Sequence, residues 1–299
     1  MAKRLVCLLF IGLLCVAASA SASASASVWT SDDGKLVIRD ETANMSAEQF
    51  NRTAEKTRST MDNIRKYWLA DQEYLSSEVI RVEFARSVSG TPNSLFFFRQ
   101  ENGRRVKVVR VFGGGEKPQQ LAHKLTSAVF PHGDKLIRNM MGEASERQFG
   151  NPASFPVCGA GADEWVAVLI QTGSFIPLAK IGTGHADWGM AIVDNVPVVK
   201  DRKKQHAAYI EAGSFGQYLI DVFGQAKMKE FFYRADMTHR PWREVFGYPL
   251  EDLERQWLAQ VKRKTAERPE AIATLAGFWQ QDPRTACFQM QRQTKGMKL

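Results

Sequence analysis

Cysteine is scarce in this chain. There are four in 299 residues, and two of them, Cys7 and Cys15, lie in the first 26. The remaining pair, Cys158 and Cys287, is too widely spaced for a zinc knuckle or ribbon. Long apolar runs are also lacking. The longest, Leu5 to Ala18, falls short of the roughly 20 residues that span a bilayer. No basic run is interleaved with aromatics, so nothing points to nucleic acid. Arg202-Lys203-Lys204 and Lys262-Arg263-Lys264 are short and flank helical patterns. The phosphate-loop order G-x-x-x-x-G-K-[ST] is missing as well. Gly113-Gly114-Gly115 follows a strand pattern, but Glu116 stands at the next helix entrance, where it would repel a phosphate, so the stretch reads as a turn. No internal repeat is present.

What is there begins with a leader. Lys3 and Arg4 precede the apolar run, and alternating Ala and Ser come after it, with small-x-small sites between Ala18 and Ala26. This is the pattern of a secretory signal peptide over residues 1–26. Cys15 follows Leu13-Leu14 rather than a small residue, which disfavours a lipid anchor. The expectation is a cleaved leader, no stable membrane anchor, and a secreted or periplasmic protein. Cleavage takes the 40 basic residues to 38 against 32 acidic ones, a net charge of +6. That modest excess is read as solvating. An oxidising compartment permits one bridge, Cys158 to Cys287, without requiring it.

Beyond the leader the pattern is mixed. Lys35 to Arg39 reads as a strand, and Ser46 with Gln49 forms a capping box opening a helix to about Leu69. Val79–Phe84, Leu95–Arg99 and Val106–Phe112 read as strands, the last two joined by Asn102-Gly103, a strong hairpin signal. After Gln120 the chain turns helical. Helices are expected at Leu121–Val129, over a short piece Lys135–Met141, from Gly159 to Ile170, at Gln205–Phe223, at Ala226–Arg234 and at Pro249–Lys264. Residues 173–200 read as a loop, and Gly213 and Gly216 as places where another backbone comes close. The fold class is therefore α+β. A strand-rich half, 27–115, packs on a mostly helical half, 116–265, and a basic tail, 266–299, lies at the periphery.

The stretch of most interest is His123-Lys124-Leu125-Thr126-Ser127, on the apolar helix after Gln120. A zinc peptidase carries H-E-x-x-H on such a helix, two imidazoles one turn apart gripping the metal and a carboxylate base beside the first. Downstream come Asp163-Glu164-Trp165-Val166-Ala167, then Tyr209 with Ser214-Phe215, Tyr218-Leu219 and Phe223-Gly224, and Leu253-Glu254 with Trp257. In this order the segments, over residues 75–262, resemble the gluzincin superfamily, in particular the small peptidase-MA-like domains of secreted proteins.

The resemblance implies a thermolysin-like fold. It also makes His123 the match of the first zinc ligand and Glu164 of the third. Lys124 and Ser127 break the pattern. An ammonium about 4 Å from a dication would feel roughly 8 kcal/mol of repulsion at an effective dielectric near 20. The expectation is thus a pseudoenzyme with no cofactor, holding a peptide or an envelope-associated ligand. His123, Lys124, Ser127 and Glu164 would be a vestigial site in which Lys124 pairs with Asp163 or Glu164. One alternative is an atypical zinc hydrolase using His123, Glu164 and His132; another is a structural envelope component. A Ser127–His123 nucleophile and a carboxylate set of Asp163, Glu164 and Glu211 are weaker readings.

Overall fold

The computed structural model describes residues 27–86, 94–112, 118, 120–193, 196–282 and 287. The leader 1–26, the Gly113–Gly115 turn and the boundary at 115 lie outside these residues. The first part is a mixed five-stranded sheet of β1 (Val28–Thr30), β2 (Leu36–Asp40), β3 (Ile80–Ala85), β4 (Ser94–Glu101) and β5 (Arg104–Phe112), in the order β1-β2-β3-β5-β4. The inner strands β2, β3 and β5 run parallel, while β1 and β4 are antiparallel margins. Parallel strands need a long crossover, and helices α1 (Ala47–Trp68) and α2 (Asp71–Ser76) supply it between β2 and β3.

Local chemistry explains these elements. Ser46 and Gln49 cap α1 reciprocally, at 3.2 and 2.9 Å. Its buried stripe of Phe50, Ala54, Thr57, Met61, Ile64 and Trp68 repeats at helical spacing. At the β4–β5 turn Asn102 and Gly103 both have positive φ, 49° and 74°, as the tight hairpin demands. Alternation then sends Leu36, Ile38, Ile80, Val82 and Phe84 to the core face. On the opposite face the buried Glu83 carboxylate is held by Arg99 and Arg110.

The second part is mostly helical: α3 (Leu121–Val129), α4 (Lys135–Phe149), α5 (Ala162–Gln171), α6 (Arg202–Arg234), α7 (Trp242–Phe246), α8 (Leu250–Thr265) and α9 (Pro269–Gln281). Residues 173–200, expected as loop, also hold two 3-10 turns and the hairpin of β6 (Met190–Val193) and β7 (Val196–Val199). Helix α6 breaks at Gly224, φ 84°, where the sequence pattern ends one helix and begins another. One hydrophobic cluster runs through both parts, and α3 stands at their junction, packed on β4, β5, α1 and α4. Among the described residues no helix is long and apolar enough to cross a membrane.

Two expectations change. Helix α4 runs to Phe149 instead of stopping at Met141, because its last two turns bury polar residues, Glu143, Ser145 and Glu146, that no apolar periodicity marks. The described part of the C-terminal segment, residues 266–282 and 287, is not a peripheral tail either. Pro269 sits in the first turn of α9, where its missing N–H costs nothing, and Leu275, Ala276 and Trp279 bury against α5. Cys287 then bridges to Cys158 across a sequence separation of 129.

Candidate functional site

Every residue of α3 is buried. A helix start without water needs partners for its free amides. Gln120, in left-handed conformation at φ 57°, offers no side-chain cap. The cap comes from α4. Glu146 accepts from the amides of Gln120 and Asn151 through Oε1, and from the His123 amide through Oε2, each at 3.1 Å. Its charge also suits the positive end of the helix dipole.

His123 is 1% exposed. Its Nδ1 and Oε1 of Glu143 share a hydrogen bond of 2.8 Å. The ring lies on Gly142, where a Cβ would come within 2.6–2.8 Å of three ring atoms. The Asn139 side chain is a polar neighbour of the ring, but among the described residues neither His123 Nε2 nor the Asn139 amide nitrogen has a partner in hydrogen-bond geometry. Burial first, then the neighbouring cations Lys124 and Arg138, hold the imidazole well below its usual range, so it is neutral. Burial and the adjacent Glu146 push the Glu143 carboxyl well above the carboxylate range, against the pull of Lys124.

Lys124 is 9% exposed, and its ammonium makes no ion pair or hydrogen bond with any described residue. Its Nζ stands 5.9 Å from the centre of the Tyr209 ring on α6. Burial and Arg138 push it down to about 8, with Glu143 and Glu146 opposing. Lys135, 4% exposed, flanks the same ring at 5.7 Å and Trp188 at 5.1 Å. Its nearest polar contact is the Met190 sulfur at 3.7 Å, and burial with Arg138 and Lys124 lowers it to about 7. Helix α6 comes close enough to bring Tyr209 here because Gly213 and Gly216 meet Glu143 and Met140 of α4; a Cβ on Gly216 would stand 2.8 Å from Met140 Cβ.

The expected site is brought together only in part. His123, Lys124 and Ser127 share α3, but the Ser127 hydroxyl donates to the His123 carbonyl at 3.1 Å, so it forms no nucleophile pair with an imidazole already bonded to Glu143. Glu164 is elsewhere. It accepts from the Gly161 amide at 2.8 Å and pairs with Arg268, on a helix that packs against α6, α8 and α9. Asp163 takes the Ser214 hydroxyl and Lys264. The expected pairing of Lys124 with Asp163 or Glu164 is therefore not made. Helix α4, not α5, packs on α3, and Glu143 and Glu146 occupy that place. Glu211 accepts from the Ile176 amide, so it forms no set with Asp163 and Glu164.

His132 is spent as well, with its Nε2–H donating to the Ala235 carbonyl at 3.1 Å and its Nδ1 accepting from the Asp134 amide at 3.0 Å. His123, His132 and Glu164 thus do not converge, and the three cations around His123 would repel a dication. These residues do not fit zinc. Among the described residues the one group with metal-ligand spacing is Cys158, His206 and Cys287, and its two sulfurs are joined as a disulfide.

The residues that build the cluster beside His123 and Lys124 are Lys135, Arg138, Asn139, Glu143, Glu146 and Tyr209. The signal for α4 was Asp134, whose Oδ1 caps the Leu136 amide at 2.8 Å, with Glu143 and Glu146 one turn apart further along. No protein-family model, curated protein or solved structure matches the chain.

Proposed function

We propose that this chain is a non-catalytic binding protein with a gluzincin-like plan, working outside the cytoplasm. The observation that carries this reading is the state of the would-be metal helix. A zinc peptidase needs a free imidazole pair and a carboxylate base. Here His123 is bonded to Glu143, Lys124 replaces the base, and the Ser127 hydroxyl is bonded to the backbone of its own helix. The cluster instead links α3 to α4 through Glu143 and Glu146, much as a metal would link two helices. The Cys158–Cys287 bridge supports an oxidising compartment, in keeping with the leader. The binding role uses the region where α3, α4 and α6 meet, with no bond made or broken.

The test is metal content and hydrolysis of the purified, leader-free protein, with and without zinc supplementation. The expected result is no stoichiometric metal and no chelator-sensitive peptide hydrolysis. Stoichiometric zinc that disappears in His123→Ala would overturn the reading and favour the atypical hydrolase, to which the unpartnered Nε2 of His123 would be the pointer.

A further inference from the structure

Fixed cations buried in a protein are normally paired, because an unpaired ammonium loses its hydration and gains nothing in return. Here Lys124 from α3 and Lys135 from α4 are both more than nine-tenths buried, and neither has an ion-pair partner among the described residues. Arg138 lies one turn after Lys135, on the same face of α4. Among the described residues its guanidinium makes one hydrogen bond, to the His132 carbonyl at 3.1 Å. The two lysines stand 5.9 and 5.7 Å from one ring, that of Tyr209, whose hydroxyl has no hydrogen-bond partner among the described residues.

The nearby carboxylates are already committed. Asp134 is bidentate with Arg240, at 2.6 and 3.0 Å, and caps α4. Glu143 is bonded to His123, and Glu146 caps α3. Among the described residues the region therefore holds three cationic side chains without a carboxylate bonded to them and a phenol hydroxyl without an acceptor. Arg138 and His185, beside it, are half-buried rather than fully enclosed. Lys124 depresses Lys135, and Arg138 depresses both lysines, in keeping with one shared space.

We infer that Lys124, Lys135, Arg138 and the Tyr209 hydroxyl form a receptor for a phosphate group, free or carried on a larger molecule. Two ammonium groups, a forked guanidinium and a phenol hydroxyl supply donors from several directions, as a tetrahedral oxyanion with several acceptor oxygens requires. The buried rings of Trp188 and Tyr209 flank the Lys135 ammonium at 5.1 and 5.7 Å and offer an apolar wall to whatever carries the group. The inference rests on the binding-protein reading, for which it names the ligand class.

The test is thermal unfolding of the leader-free protein in inorganic phosphate against chloride at matched ionic strength, with ³¹P line broadening on the same samples. Phosphate is expected to raise the melting temperature by about 5 °C at some 30-fold above its Kd, and to broaden the ³¹P line. Lys135→Met is expected to weaken phosphate binding tenfold or more, and to melt no lower than wild type without phosphate, because it removes a repelled charge. Arg138→Gln provides the same binding test should the first variant misfold. Dioctanoyl phosphatidic acid, run in parallel, separates the sources: a shift well above that of inorganic phosphate assigns a lipid headgroup, and an equal shift the free ion. No shift or broadening beyond chloride, or a full shift retained in the variants, would overturn the inference. A null result with phosphate leaves the metal and hydrolysis results untouched, so failure of the ligand class is distinguishable from failure of the binding-protein reading.

Discussion

Two residues show how the interior is balanced. His123 is neutral, buried and bonded to a carboxyl that burial holds above its usual range. Truncating it leaves a cavity and an orphaned buried carboxyl. His123→Ala is therefore expected to destabilise the fold by about 2–4 kcal/mol, read from denaturant unfolding; an unchanged midpoint would refute the linking role. Lys135 works in the opposite sense. Its folded-state value of about 7 lies below that of a free lysine, so between pH 7 and about 10 the unfolded chain binds more protons than the folded one. Stability from this group rises with pH across that window. Groups facing it from α3, α4, α6 and the 182–190 segment are Lys124, Arg138, Tyr209 and His185. The raised carboxyls Glu143, Glu146 and Glu211 push the other way, losing stability as pH rises above the ordinary carboxylate range. The clean readout is thus a difference: wild type gains on Lys135→Met between pH 7 and 9 in urea melts.

Among the elements, α3 depends on its neighbour. The Gln120 and His123 amides at its start are bonded by Glu146 of α4, with Ser154 also accepting from Gln120, and not by a side chain of its own. Glu146→Ala removes the acceptor for the Gln120, His123 and Asn151 amides together. The expected loss is about 2–4 kcal/mol, with faster amide exchange at Gln120 and His123 as the specific sign. This is also where the sequence was hardest to interpret. Helix α1, its capping box and the Asn102-Gly103 hairpin are written in local patterns, and they stand where those patterns put them. The same holds for Gly213 and Gly216, whose missing side chains let α4 approach. Helix α4 itself is half hidden, because its last two turns bury two glutamates and a serine, and the partners of the glutamates are remote in sequence. His123 and Lys124 were legible as unusual; their partners were not, since Glu143 and Glu146 belong to a helix that apolar spacing ends too early. Glu164 looked like a partner because the resemblance matches it to the third zinc ligand, but that carboxylate serves its own helix start.

Across the whole molecule the two parts share one core, and the C-terminal segment is fastened back onto it. Helix α9 lays Trp279 against Trp165 and His206, and the Cys158–Cys287 bridge ties the chain beyond α9 to the segment that precedes α5. Reduction, or Cys287→Ser, releases a long loop constraint. It is expected to cost about 4–5 kcal/mol at most, seen as a lower melting temperature in reductant; equal melting with and without reductant would deny the bridge a stabilising role. On the proposed reading, α3 holds a polar and charged cluster where a zinc peptidase would hold its metal. Elemental analysis of the purified leader-free protein, beside His123→Ala, is the decisive measurement. No stoichiometric zinc is expected in either protein, even after supplementation. One zinc per wild-type chain, absent from His123→Ala, would contradict that reading.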